Sequence, residues 1–252
     1  MKRTLLYLLV ALAVLVGAVT GYGMFRDWRE RPADYFVEGP SLALAEALMA
    51  DDEPGMRALI DNGADIDANG VDGMTLLQWQ VSRGDYGRVR RLLALGADPD
   101  IVGWGKETAT HLAAFRDNPA MLELLLNGGA DPNAIGHRQG RTPIFNALAA
   151  KNARNVELLI ERGSDVSYRD TSGSTLLHYT ARTNYFEYVL RFLELGVDPR
   201  AIDDLGTTFQ PAFFRTDPAI MNATALSIRR KVTEILVARG IELDPSGESY
   251  RK

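Results

Sequence analysis

The sequence predicts an all-α solenoid of stacked helix–turn–helix units, preceded by one N-terminal transmembrane helix. Three observations predict it. The phrase Gly63-Ala64-Asp65 recurs as Gly96-Ala97-Asp98 and Gly129-Ala130-Asp131, with looser copies at Gly163-Ser164-Asp165, Gly196-Val197-Asp198 and Gly240-Ile241-Glu242; the glycines stand 33, 33, 34, 33 and 44 residues apart. A second phrase keeps the same step, starting at Thr75, Thr108, Thr142, Thr175 and Thr208. The third observation is the uncharged run Thr4–Phe25, 22 residues rich in Leu, Val and Ala. Two phrases locked at one period mark a repeat array, in which each unit buries its apolar face only against its neighbours.

The first element, residues 1–25, reads as an uncleaved signal anchor, because about 20 apolar residues suffice to cross a bilayer as a helix. A cleaved export signal releasing a soluble protein is the alternative. Lys2 and Arg3 precede the run and Arg26, Arg29 and Arg31 follow it, so the positive-inside rule barely chooses an orientation. The short basic start followed at once by apolar residues looks like an export signal. It places the chain in the inner membrane as a single-pass protein with its C-terminal domain in the periplasm. Residues 26–40 read as a linker and 41–62 as an N-terminal capping unit, with Ser41 a candidate helix N-cap.

The repeat domain spans 41–244, about five to six units. In each, a short helix starts at the threonine and a turn follows, as at Gly84 or Asn118. A second helix then buries positions at i, i+3, i+4 spacing, such as Val89, Leu92 and Leu93, or Val189, Phe192 and Leu193. The glycine after it suits a left-handed cap. Thr208 to Gly240 covers 32 residues against 21 in the four preceding units, an insertion of 11 placed within 214–225, between the last two helices. Residues 245–252 form a polar tail.

The period, the Thr-Pro-Leu-His-like phrases (Thr75-Leu76-Leu77-Gln78, Thr108-Ala109-Thr110-His111, Thr142-Pro143-Ile144-Phe145, Thr175-Leu176-Leu177-His178) and the Gly-Ala-Asp phrases together resemble the ankyrin repeat family. The resemblance implies antiparallel helix pairs joined by projecting hairpin loops. It also implies that His111 and His178 steady the loop and helix start rather than act in catalysis, and that partners lie across the hairpin tips and the exposed ends of the first helices.

Composition narrows the function. With no cysteine among 252 residues and a net charge of −5, thiolate chemistry, disulfides and zinc-finger spacing are excluded and a general nucleic-acid role is disfavoured. No HExxH, GxSxG or phosphate-binding glycine loop occurs. No catalytic residue, metal ligand, cofactor or small-molecule substrate is therefore expected. The chain reads as a non-enzymatic protein-binding module, with an enzyme using an unrecognised site in the insertion as the remaining alternative. Mapping by offset from each threonine puts Asp72, Trp104, Glu107, Arg138 and Arg141 on the tips, together with Met74 and Ser174, and Arg83, Phe115, Arg116 and Arg182 at the helix ends. Arginine and aromatics dominate many binding surfaces. The expected partner is a protein with an acidic surface, met by a basic groove with a central aromatic anchor; Trp79 is expected in the core. Some bacterial members of the resembled family share this layout. They suggest an inhibitor or immunity protein that neutralises a toxin or lytic enzyme, or alternatively an accessory partner of a periplasmic enzyme such as a catalase.

Overall fold

The computed structural model describes residues 31–136 and 139–244. Twelve α-helices among them form six antiparallel pairs: α1 (Pro40–Met49) with α2 (Glu53–Asp61), α3 (Leu76–Arg83) with α4 (Tyr86–Ala94), α5 (Ala109–Phe115) with α6 (Pro119–Asn127), α7 (Pro143–Ala149) with α8 (Ala153–Glu161), α9 (Leu176–Arg182) with α10 (Phe186–Glu194), and α11 (Gln210–Phe214) with α12 (Ala223–Ala238).

The threonine phrase forms the helix starts as its chemistry requires. Thr75, Thr108 and Thr175 are N-caps in capping boxes closed by Gln78, His111 and His178. At the far end of each second helix the phrase glycine takes a left-handed conformation, with φ from 65° to 97° over the six copies. A Cβ would be strained there. First helices stack on first helices through small residues: Ala109, Ala113 and Ala147 are essentially solvent-free, which lets α5 and α7 approach closely. Second helices contribute Val89, Leu92, Leu122, Leu125, Val156, Leu159, Val189 and Phe192, all buried, at about 1.5–3 kcal/mol per side chain removed from water.

Between pairs the chain makes a hairpin, each closed by a backbone bond at its base, as from the Gly70 amide to the Met74 carbonyl (2.8 Å) and from Asp203 to Thr207 (3.0 Å). Neighbouring hairpins are tied at their tips, with Thr171 donating to the Gln139 carbonyl and Asp204 to that of Ser172, both at 3.0 Å. At the N-terminal end the Val71 amide donates to the Tyr35 carbonyl at 2.6 Å. Tyr35 thus stands where a preceding hairpin would stand. Beside it Phe36 is buried, and both rings lie on Trp79, with centroids 5.5 and 5.7 Å away.

Several expectations need correction. Among the described residues no helix is long and apolar enough to cross a membrane. The longest, α12, has 16 residues, carries Arg229, Arg230, Lys231 and Glu234, and falls short of the roughly 20 apolar residues a span needs. The segment 1–25 that suggested an anchor lies outside the described residues. Among the described residues the all-α solenoid carries no transmembrane element, and the single-pass, inner-membrane, periplasm-facing placement is not supported by it. Ser41 is not an N-cap: the helix begins one residue earlier at Pro40, capped by Gly39. The extra residues of the last unit lie mainly in α12, which has 16 residues where α10 has nine. The remainder lengthens the connection before it, which contains the short 3-10 turn Pro218–Ile220. Arg229 secures that connection by donating to the carbonyls of Thr216 (2.7 Å) and Phe214 (2.9 Å).

Candidate protein-binding face

The hairpin tips and first-helix ends are built by side chains reaching across unit boundaries. Gln78, buried in the first turn of α3, donates to the Glu107 carbonyl (2.6 Å) and accepts from the Trp104 amide (2.9 Å). These bonds fix the Trp104–Lys106 turn, and Trp104 stands out from it 43% exposed. Residue 103 must be glycine, since a Cβ there would lie 2.4 Å from Gln78 Oε1 and 2.5 Å from the Gly73 carbonyl oxygen.

Helix α5 ends early because Arg116 is extended (φ −84°, ψ 145°). The units on either side secure this segment. The Arg116 carbonyl accepts from Asn152 Nδ2 (2.8 Å) and Asn155 Nδ2 (2.7 Å), and Tyr86 Oη bonds the Asn118 carboxamide. Phe115, 56% exposed, and the exposed Arg116 are therefore presented on an immobilised backbone.

The other arginines differ in availability. Arg83 is exposed, its guanidinium 5.5 Å from the Trp79 ring; Trp79 itself is buried. Arg141 donates through Nε to Asp170 Oδ2 at 3.1 Å, with the Asp170 side chain fully buried, and stacks over Phe145 and Tyr179 at 5.3 and 5.0 Å. Arg182 pairs with the nearly buried Asp203 at 3.4 Å and donates to Ser174 Oγ at 2.7 Å. Both hold the stack together, so the continuous basic groove is interrupted there. Arg138 lies outside the described residues. Asp72 is exposed in a left-handed turn (φ 57°), and Glu107 Oε1 accepts from Asn146 Nδ2 at 2.9 Å. Met74 and Ser174, assigned to the tips by offset, are buried.

A family model described as ankyrin repeats, in three copies, matches residues 44–136 and 111–203. The chain belongs to the ankyrin repeat family. It is 35% identical over 74 residues to human ankyrin repeat domain-containing protein 63, covering 28% of this chain and 20% of that one. It is 31% identical over 70 residues to human protein phosphatase 1 regulatory subunit 27, covering 28% and 46%. The chain thus spans less than half the length of these curated relatives. As an ankyrin repeat chain it is a protein–protein interaction module.

Within the ankyrin stack the histidines serve structure. His111 Nδ1 lies 2.8 Å from Thr108 Oγ1 and Nε2 lies 2.8 Å from the Arg141 carbonyl. His178 repeats this with Thr175 and the Thr207 carbonyl, at 2.9 Å each. Burial, only partly opposed by the Thr207 bond and Asp203, holds His178 below its ordinary value. Among the described residues no group of His, Asp and Glu could hold a metal ion. Sequence reasoning missed Asp170 and Asp203. Their signal was an Asp followed at two and four residues by groups it can bond. Asp170 Oδ1 accepts from the Ser172 and Ser174 amides, and Asp203 Oδ1 from those of Leu205 and Thr207. Burial pushes both carboxyls up, but these hydrogen bonds, with Arg141 at Asp170, outweigh it and hold them below the usual carboxylate value.

Proposed function

We propose that this ankyrin repeat protein is a non-catalytic regulator that binds an acidic surface of a partner protein through the N-terminal half of its stack. The supporting observation is the contrast among its cations: Arg116, beside the exposed Phe115, is held ready on a clamped backbone, whereas Arg141 and Arg182 are engaged by buried aspartates. Trp104 and Arg83 extend the same face, with Asp72 at the neighbouring tip. Control of an enzyme by binding, in the manner of an inhibitor or immunity protein, is the reading favoured over simple scaffolding. The name of one relative, a regulatory subunit of a phosphatase, supports it. An accessory role that stabilises the partner enzyme is the alternative.

The test uses the whole chain as bait at low salt, beside the variants Arg83→Glu, Arg116→Glu and Trp104→Ala. One stoichiometric partner, weakened at least tenfold by Arg116→Glu (about 1.4 kcal/mol) and by added salt, supports the face. Undiminished binding in all three variants overturns it. A partner whose activity falls on binding fits the inhibitor, and one whose activity or lifetime rises fits the accessory role.

A further inference from the structure

The turns after the second helices form a seam along one edge of the stack. In the first five, an aspartate accepts the amide two residues on: Asp65 from Asp67, Asp98 from Asp100, Asp131 from Asn133, Asp165 from Ser167 and Asp198 from Arg200, at 2.8–2.9 Å. At Asp67, Asp100, Asn133 and Arg200 the second residue of the step reaches the next turn. Asn133 makes two bonds there, accepting the Asp165 amide through Oδ1 (2.7 Å) and donating through Nδ2 to the Gly163 carbonyl (3.0 Å). Asp100 and Asp67 occupy the same place one and two units earlier. Asp67 sets both oxygens on the Asp98 amide (3.0 and 3.2 Å), and Asp100 does the same on the Asp131 amide (3.2 and 3.0 Å). A carboxylate has no hydrogen to give. The carbonyls of Gly96 and Gly129, the counterparts of Gly163, therefore get no donor from it.

We propose that Asp67 and Asp100 make this edge a proton-responsive seam. On acidification each carboxyl takes up a proton and turns its O–H to the glycine carbonyl of the next turn, completing the second bond that Asn133 already makes. Both carboxyls are partly buried. Among the described residues the charged groups that bear on them are carboxylates: Asp65 and Asp98 at Asp67, and Asp98 and Asp131 at Asp100. Burial first, and then these neighbours, raise both above the ordinary carboxylate value against the opposing amide bond. A group that binds its proton more tightly when folded opposes folding above its folded pKa, and this opposition fades as pH falls through that value. The N-terminal junctions therefore tighten in mild acid.

The experiment is amide hydrogen exchange by NMR on the full chain between pH 7 and 4.5, corrected for intrinsic rates. The Asp165 amide, opposite Asn133, serves as the comparison site, and its own change with pH is read in the Asp67→Asn and Asp100→Asn variants and subtracted. Protection at Asp98 and Asp131 should rise about threefold to tenfold relative to Asp165 as pH falls. Asp67→Asn and Asp100→Asn should show the higher protection already at pH 7 and lose the dependence. A ratio that stays flat or falls, or Asn variants indistinguishable from the parent at both pH values, overturns the proposal.

Discussion

The two halves of the stack hold their hairpins by different chemistry. In the N-terminal half the junction between the second and third units is closed by a neutral amide, Gln78, working against a glycine at 103. In the C-terminal half the hairpins carry ion pairs as well, Arg141 with Asp170 and Arg182 with Asp203. The difference decides which charges are left for a partner. An arginine consumed by a buried carboxylate contributes nothing to a binding surface, however well its position in the repeat suggests one.

The sharpest way to break this contrast is Arg141→Ala. It leaves the buried Asp170 without its cation and should cost about 3–5 kcal/mol of stability, as unpaired buried charges do. Chemical denaturation measures it, and a loss below about 1 kcal/mol, the usual worth of an exposed pair, would place Arg141 back among the surface charges. Gln78→Ala should cost less, about 1–3 kcal/mol for the bonding groups it strands. Its signature is faster amide exchange at Trp104.

Within the first helices the halves differ again. Gln80 is fully buried and, among the described residues, neither atom of its amide has a hydrogen-bond partner. Thr180, at the same offset from its threonine, satisfies itself on the Leu176 carbonyl at 2.7 Å. Gln80→Met should therefore raise stability by about 1 kcal/mol, read as an increase in Tm. A pH titration sharpens the comparison. His178 lies below its ordinary value of 6.5 when folded, so its contribution is complete above that pH and is lost as pH falls below it. The depressed Asp170 and Asp203 follow, their contribution present above the ordinary 3.8 and lost below it. The C-terminal half should thus loosen first in acid, by hydrogen exchange, and His178→Gln should remove the earlier step. The smallest effect is expected from Arg116→Ala: stability unchanged within about 0.5 kcal/mol, with partner affinity reduced.

Much of this was legible in the residues. The period, capping threonines and glycine turns are local signals, and they placed the helix pairs, the core leucines and the two structural histidines. Trp79 was read as core from its slot and is core. The arginines could not be sorted in this way. Arg141 and Asp170 are 29 residues apart and Arg182 and Asp203 are 21 apart, so no local pattern joins them. The one-residue longer interval before Thr142 also disguises the equivalence of Arg141 to its neighbours. Hydropathy alone suggested a span at 1–25, and among the described residues the longest helix is too short and too charged to be one. Ser41 looked like a cap, but Pro40 already fits the first helical position.

The segment from Pro32 to Phe36, expected to be linker, acts as the last rung of the hairpin ladder. In mechanical terms, tension on the chain ahead of residue 31 meets the Val71–Tyr35 bond and the two rings on Trp79 before it reaches any helix pair. This strap acts as a fuse: it should peel at low force and unmask Trp79, while the units behind it stay folded. A fragment started at Pro40 begins with that fuse already blown, so fragment boundaries belong before Pro32.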